Sequence, residues 1–224
     1  MQPYLFPYIG YWQLIEAVDV FVIFDDVNYI NKGYINRNNI LVNGQKQTFT
    51  LELSGASQNK LINEIEIGGN RAKLLKTVEM AYKKAPFFDA FFPLVEKILM
   101  QDETNLAKFI GYSLAIISDY MGIKTQFVYS SDIEKDNTLK AQEKIIDIVK
   151  RIGATRYINA IGGQELYSKE RFSAEGITLN FLQTHLQEYK QFKNDFIPYL
   201  SIIDVIMFND PETLKSMLKK QELI

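Results

Sequence analysis

The sequence predicts a three-layer α/β protein built on a parallel sheet, with a β-hairpin insertion and a helical annex. Val20–Phe24 is an unbroken apolar and β-branched run, which is typical of a strand buried on both faces. From Gly122 onward, short apolar runs alternate with amphipathic helical patterns, as they do where crossover helices join parallel strands. Residues 71–121 carry three consecutive helical patterns, and these predict the annex.

The first part of the chain is predicted to be rich in strands. A helical pattern over Tyr11–Ala17 precedes the apolar run. Asn39–Leu53 indicates a hairpin, because two strand-like segments flank Asn43-Gly44, the pair most favoured in a type I′ turn. Ile62–Ile67 alternates apolar with polar residues, which predicts a half-buried strand.

The remaining elements follow from the same periodicities, and no linker or repeat interrupts them, so residues 1–224 are predicted to form one domain. Asp210 and Pro211 supply an N-cap and a favoured first residue for the last helix. Helices are predicted over 71–84, 87–100, 104–121, 139–152, 198–208 and 211–220. Strands are predicted over 125–129, 156–159 and 177–182.

The composition excludes several kinds of partner and site. The 25 Lys and Arg residues face 27 Asp and Glu residues, so no general positive field would attract nucleic acid. The chain has no cysteine and one histidine, which excludes thiolate chemistry and a metal site built from imidazoles. No metal site is predicted, and no motif specifies a cofactor.

The hydrophobic runs are too short or too charged to span a membrane, and the N-terminus lacks the basic region of a signal peptide. We therefore expect a cytoplasmic protein whose partner is a small-molecule substrate, with no nucleic acid and no membrane span. The sequence leaves the oligomeric state open.

Aromatic rings are concentrated in the first twelve residues, beside two prolines and a glycine. Rings with hydrogen-bonding tips can stack on a sugar or a base while orienting it. On this interpretation Gln2, Tyr4, Tyr8 and Tyr11 are substrate-binding residues. The alternative is an aromatic mini-core that fixes the entry of the chain.

Two carboxylates, Asp25 and Asp26, follow the apolar run where its strand should end. In open α/β sheets, ligands bind outside the carboxyl ends of the strands. Because side chains alternate along an extended chain, only one of the two carboxylates is expected to enter the site. We predict Asp25 as a catalytic base, with Asp26, Lys32, Asn36 and Arg37 binding substrate. An Asp- and Asn-rich turn is the alternative.

A third candidate group is Asn159, Gly162 and Gly163, between a predicted strand and a helix start. Free backbone N–H groups at such a position can hold a phosphate or a carboxylate, although a structural turn fits the spacing equally. His185 carries the only imidazole of the chain and is the second catalytic candidate, with a structural histidine as the alternative.

Asp204 interrupts an apolar helical run and is the last substrate-binding candidate. A carboxylate on a helix buried all round has to be paired or hydrogen-bonded, because its isolation costs several kcal/mol. The sequence allows pairing with Arg37 or Lys32 across the site, or capping of a neighbouring helix.

Several stretches together resemble the WbqC-like family of bacterial proteins: MQPYLFPYIGYWQLI, FVIFDDVNYINKGYINRNNIL, SQNKLINEIEI, KAPFF, YINAIGGQELY and LSIIDVIMFN. The resemblance covers nearly the whole chain. It implies a role in O-antigen or surface-polysaccharide biosynthesis, since family members occur in such gene clusters, and a glycine-transferase role is suggested for some. Members carry a short apolar strand before the MQPY stretch, so the resemblance also implies one strand position that this chain does not fill.

A more distant similarity links FPYIGYWQLIEAVDVFVIFDD to the opening of HIGH-type nucleotidylyltransferases and implies a Rossmann-like architecture. Tyr8-Ile9-Gly10-Tyr11 stands where their HxGH motif would be, so both imidazoles that would contact phosphates are replaced by phenols. This departure argues against adenylylation.

Two functions fit these expectations. The first is a transferase that modifies a sugar or nucleotide-sugar, with aminoacyl transfer as one form. Aromatic rings would then stack on the sugar or base, Arg37 and the Gly162-Gly163 amides would hold phosphate or carboxylate, and Asp25 or His185 would remove a proton. The second is a non-catalytic protein that binds a nucleotide or another small ligand on a degenerate nucleotidylyltransferase-like fold.

Overall fold

The first third of the chain folds as a short helix followed by strands, as its hydrophobic pattern predicts. The computed structural model describes residues 1–224. The hairpin turns at Asn43-Gly44 with φ of 50° and 76°, so both residues adopt the left-handed conformation of a type I′ turn. The elements are α1 (Ile9–Glu16), β1 (Val20–Ile23), β2 (Arg37–Val42), β3 (Gln45–Thr50), β4 (Leu53–Ser54) and β5 (Glu66–Ile67).

The prediction of a strand over residues 62–67 is mostly wrong. Ile62–Glu64 forms a 3₁₀ turn, and only Glu66–Ile67 remains as a short strand, paired with β4. The cause is local, because the N–H of Leu61 donates to Glu64 Oε2 at 2.8 Å and closes the turn. Ile62, Ile65 and Ile67 still point inward, so an alternating apolar pattern is equally compatible with this irregular segment.

The helical annex has the predicted three helices. It consists of α2 (Arg71–Tyr82), α3 (Phe88–Leu99) and α4 (Leu106–Met121). Asn105 caps α4 by accepting a hydrogen bond from the N–H of Lys108 at 3.1 Å, and Gly122 ends it with a φ of 76°.

Strands and helices alternate in the second half, which confirms the α/β assignment. The elements are β6 (Gln126–Tyr129), α5 (Ala141–Arg151), β7 (Arg156–Ala160), α6 (Lys169–Ser173), β8 (Thr178–Thr184), α7 (Ile202–Phe208), α8 (Pro211–Leu218) and β9 (Gln221–Leu223). The start of α7 is later than predicted because Ser201 caps it, its hydroxyl accepting from the N–H of Ile203 at 3.2 Å. The pattern did not predict β9, which is short and polar.

Hydrogen bonds join the strands in four separate groups. β1 pairs with β6 in parallel, β7 pairs with β8 in parallel, and β9 adds to β8 in the antiparallel sense. The β2–β3 hairpin and the β4–β5 pair are independent of them. The structure is therefore α/β with parallel strands, and the expected single three-layer sheet is not confirmed.

Helices cover both faces of the β7–β8 pair. Leu179 and Phe181 pack into a small apolar cluster with residues of α5 and α6. Ile158 and Leu182 point the other way, into the main core that contains α1 and the annex. None of the eight helices combines the length and the apolar character that a bilayer crossing would require.

A polar network lies inside the main core and is centred on Asp204, which is fully buried. Its carboxylate accepts hydrogen bonds from the hydroxyls of Tyr82 at 2.8 Å and Tyr189 at 2.6 Å, and from Gln191 Nε2 at 2.8 Å. The Tyr82 hydroxyl in turn accepts from the N–H of Leu41 at 2.9 Å. The network therefore joins α2, β2, α7 and the segment before α7, and burial raises the pKa of Asp204.

We expect Tyr82→Phe to lower the free energy of unfolding by about 2 kcal/mol, because it removes one partner each from Leu41 and the buried Asp204 carboxylate. Urea titration monitored by circular dichroism measures this change. Tyr120→Phe is the matched control, since the Tyr120 hydroxyl has no hydrogen-bond partner in the chain and its ring packs against Phe91. Equal stability of the two variants would contradict the structural role of the network.

Candidate functional site

Polar side chains gather where β1 and β6 end side by side. The chain leaves β1, passes through the annex and returns in β6, which pairs with β1 in parallel. Ligands of open α/β sheets bind outside the carboxyl ends of parallel strands, so this edge is a candidate site. The first residues beyond these ends are Asp25 and Asp26 after β1, and Ser130 and Ser131 after β6.

Asp25 is held firmly at this edge. Its side chain is buried, and its carboxylate accepts hydrogen bonds from the N–H of Ser131 at 3.0 Å, the Ser131 hydroxyl at 2.7 Å and Asn63 Nδ2 at 3.2 Å. Asn63 is itself held, because the side chain of Asn105 donates to its carbonyl at 2.7 Å. The carboxylate therefore joins the ends of both strands to the start of α4.

Asp26 points to a different set of partners, as the alternation of an extended chain predicts. Its Oδ2 lies 2.8 Å from Lys135 Nζ and 3.3 Å from Lys144 Nζ. The Lys144 ammonium also lies 5.3 Å from the centre of the Phe24 ring. Burial alone would raise the pKa of Asp26, but the hydrogen bond from Lys135 and the nearby positive charges hold it below its ordinary value.

A polar cavity of about 570 Å³ opens beside Asp25. Tyr129 is its one aromatic wall, and burial together with the nearby charges of Asp25, Glu103 and Asp132 raises the pKa of this phenol to about 12. The phenol therefore stays protonated at neutral pH and can donate a hydrogen bond. The cavity is lined by Asp25, Asn63, Asn105, Lys108, Tyr129, Ser131 and Asp132.

Three of these lining groups have no partner within the chain. The Lys108 ammonium, the Asp132 carboxylate and the Tyr129 hydroxyl form no salt bridge or side-chain hydrogen bond, whereas Asp25 and Asn63 are bonded to their neighbours. The cavity thus has a fixed wall and free groups of both charges. These free groups fit a ligand that carries hydrogen-bond donors and acceptors.

The position of Tyr129 depends on a glycine of the annex. A Cβ atom at Gly111 of α4 would overlap the hydroxyl of Tyr129, so only glycine lets the ring lie this close to the helix. No three carboxylate or imidazole side chains of the chain are grouped closely enough to hold a metal ion together.

The aromatic residues of the N-terminus pack mainly against each other. The Tyr11 hydroxyl donates to the Gln2 carbonyl at 2.8 Å, and the Tyr4 ring contacts the rings of Tyr11 and Tyr34. Tyr8 lines a separate cavity of about 20 Å³ together with His185, which has room for about one water molecule. These residues do not line the cavity beside Asp25.

The loop after Asp26 is folded by residues that were predicted to bind substrate. The carbonyl of the Asn36 side chain accepts from the Tyr29 hydroxyl at 2.9 Å, and its amide donates to the Leu51 carbonyl at 2.7 Å. Arg37 donates to the carbonyls of Gly33 and Lys32. Asn36, Arg37 and Lys32 therefore shape this loop.

The remaining predicted site residues lie elsewhere. Asn159 accepts from the N–H of Ala160 at 2.8 Å, and its amide approaches the backbone at Gly163, where a Cβ would lie 2.7 Å from Nδ2. Gly162 shares the same 3₁₀ turn after β7. His185 is half exposed with its Nε2 3.6 Å from a Glu222 oxygen, and Asp204 bonds to tyrosines and a glutamine rather than to Arg37 or Lys32.

The acid pair, the aromatic segment and the paired glycines thus do not share one cavity. The cavity instead uses residues that the motifs did not indicate, among them Asn63, Lys108, Tyr129 and Ser131. One available signal was the predicted strand at 125–129: if it is parallel to β1, the residues that follow it lie at the same edge.

The fold is α/β, and a polar cavity lies beside the ends of β1 and β6. The sequence profile of the WbqC-like protein family matches residues 2–216, and the chain belongs to this family. It is also 27% identical over 208 residues to the uncharacterized protein Rv1507c of Mycobacterium tuberculosis (strain ATCC 25618 / H37Rv), with 91% of this chain and 89% of that protein covered. No solved structure matches the chain.

We expect Asp26→Asn to lower the free energy of unfolding by about 3 kcal/mol, because it leaves the buried Lys135 ammonium without its counter-charge. The folded-state pKa of Asp26 is below its ordinary value of 3.8, so the carboxylate stabilises the fold above that value and less as the pH falls through the lower one. Urea titrations at pH 7 and near pH 3 measure both effects.

The variant should therefore lose less stability than the wild type between these two pH values. Asp102→Asn is the control, because the Asp102 side chain is exposed and forms no salt bridge. A wild-type pH dependence in the Asp26→Asn variant would contradict the role of this ion cluster.

Proposed function

We propose that the protein is a cytoplasmic transferase that modifies a sugar or nucleotide-sugar in O-antigen or surface-polysaccharide biosynthesis. The single observation that carries this proposal is the position of Asp25, a buried carboxylate at the carboxyl end of a parallel strand that also lines a polar cavity. Membership in the WbqC-like family supports the same substrate class. The transferred group is proposed to be aminoacyl, with glycine as the simplest case.

The cavity supplies a role for each free group. The Lys108 ammonium and the Tyr129 hydroxyl are donors for the carbonyl oxygen of the donor substrate, whose negative charge grows during acyl transfer. The Asp132 carboxylate can bind the amino group of an aminoacyl donor or a sugar hydroxyl. Asp25 is proposed as the base rather than His185, because His185 does not line this cavity.

The proposed reaction is one acyl transfer from an activated aminoacyl donor. A hydroxyl or amine of the sugar attacks the acyl carbon, the new C–O or C–N bond forms, and the bond from the acyl carbon to the leaving group breaks. Asp25 takes the proton of the attacking group and returns it to the leaving group. Ser131 and Asn63 hold the carboxylate in position through their hydrogen bonds.

A second candidate is a non-catalytic protein that binds a nucleotide or small ligand. One observation favours it: the Asp25 carboxylate already accepts three hydrogen bonds within the chain, so its oxygens are engaged by the protein itself. Both candidates predict that the protein binds a ligand, but only the transferase converts it to a product. A thermal-shift screen of nucleotides, nucleotide-sugars and amino acids, with and without Mg²⁺, identifies the ligands for both.

We expect Asp25→Asn to lower turnover at least about 100-fold, because the general base is lost. Turnover is measured by mass spectrometry of the acceptor sugar after incubation with ligands from the screen. Asp204→Asn is the matched control, since Asp204 is also a buried carboxylate that accepts three hydrogen bonds but does not line the cavity.

Both variants should melt at a lower temperature than the wild type, and only Asp25→Asn should lose turnover. Full turnover in Asp25→Asn would refute the catalytic assignment. Ligand-induced stabilisation of the wild type with no product for any donor and acceptor pair would support the binding protein instead.

A further inference from the structure

A second polar cavity, of about 650 Å³, is built from the helical annex. It is a groove between α3 and α4 at the turn that joins them, and we call it the annex groove. On α4 its lining residues are Lys108 and Tyr112, which are four positions apart and therefore share one face of the helix. Glu96, Lys97 and Met100 line it from the end of α3.

The annex groove adjoins the cavity beside Asp25. Lys108 lines both of them. Glu103 lines the annex groove, and its charge is one of those that raise the pKa of Tyr129, which lines the other cavity. The wall between the two cavities is therefore the α3–α4 turn with the first turn of α4, and Lys108 marks the point where they meet.

This wall is held by hydrogen bonds within the chain. Glu103 Oε1 accepts from the N–H groups of Thr104 at 2.9 Å and Asn105 at 2.8 Å. The guanidinium of Arg71 donates to the Gln101 carbonyl from the start of α2. Because the wall is already ordered, a ligand in the groove would not have to order it.

The groove offers a ligand free polar groups and one aromatic ring. Glu96, Lys97 and Asp102 form no salt bridge or side-chain hydrogen bond within the chain, and the Tyr112 hydroxyl forms no hydrogen bond. Sugar hydroxyls both donate and accept hydrogen bonds, and an aromatic ring gives the apolar face of a sugar a surface to pack on. The lining therefore fits a sugar ring.

The charges of the groove distinguish between the parts of the two substrates. Three carboxylates and two ammonium groups line it, so negative charge is in excess. A phosphate or pyrophosphate would be repelled by this excess, whereas an uncharged sugar or an amino sugar would not. The groove therefore disfavours a nucleotide or a phosphate leaving group and favours a sugar ring without phosphate.

We propose that the annex groove binds the sugar ring of the acceptor, in a form that carries no phosphate on that ring. Its role as an acceptor site rests on the proposed transferase function, whereas sugar binding in the groove does not. The attacking hydroxyl or amine of the ring would lie at Lys108, next to the acyl group of a donor in the cavity beside Asp25. Two adjoining subsites of this kind hold both reactants together for transfer.

The first test measures binding without any donor substrate. Hexoses, hexosamines and N-acetylhexosamines, each paired with its own 1-phosphate, are titrated into the ¹⁵N-labelled full chain and followed by NMR. At least one sugar without phosphate should shift the amide signals of Lys97, Gln101 and Lys108. Its 1-phosphate should bind at least about 10-fold more weakly, because the groove carries excess negative charge.

The second test changes the aromatic ring of the groove. Tyr112→Leu keeps an apolar side chain but removes the ring, and it should weaken binding of that sugar about 10-fold. Tyr112→Phe keeps the ring and should bind nearly as the wild type does. Tyr34→Leu is the matched control, since Tyr34 is an exposed tyrosine that lines neither cavity.

The inference is overturned if no sugar of the panel shifts these signals, if the 1-phosphates bind equally well, or if Tyr112→Leu binds like the wild type. Where turnover is observed, Tyr112→Leu should raise the acceptor KM about 10-fold and leave the donor KM unchanged. Product formation with an unchanged acceptor KM would remove the groove and retain the transferase. Sugar binding in the groove with no product from any donor would retain the sugar site and refute the transferase.

Discussion

The parallel pairing of β1 with β6 is the interaction on which the site depends. Val20 lies opposite Gln126, so the pairing brings together two segments that the whole annex separates in the sequence. This pairing places Asp25 beside Ser131, and the annex contributes Asn105 and Lys108 from the start of α4. The β-rich segment that precedes the annex adds Asn63 through its 3₁₀ turn. The cavity is thus lined by residues from the β1–β6 strand ends, the annex and the β-rich segment before the annex.

Features that depend on neighbouring residues were predictable from the sequence. The type I′ turn at Asn43-Gly44, the cap at Asp210 and the three helices of the annex follow from local conformational preferences. The 3₁₀ turn at Ile62–Glu64 was missed, although its cause is also local, because the hydrogen bond from Leu61 to Glu64 leaves the apolar alternation unchanged.

Contacts between distant segments were not predictable in the same way. The placement of Asp25 at a strand end followed from the apolar run, but its partners come from positions 63 and 131. Asp204 was expected to be paired, and it is, but with tyrosine hydroxyls supplied by α2 and the segment before α7. Many polar side chains can satisfy a buried carboxylate. The sequence therefore predicts that Asp204 has a hydrogen-bonding partner, but the three-dimensional packing decides which residue that partner is.

The long interval between β1 and β6 has a consequence for how the protein is made. The two strands are 106 positions apart, so at typical rates of translation β6 leaves the ribosome roughly 5 to 20 s after β1. During that time the nascent chain exposes an apolar strand without its neighbour, which invites association with other chains. The annex helices can form locally in the same interval, so the growing polypeptide has a folded module before its central strands meet.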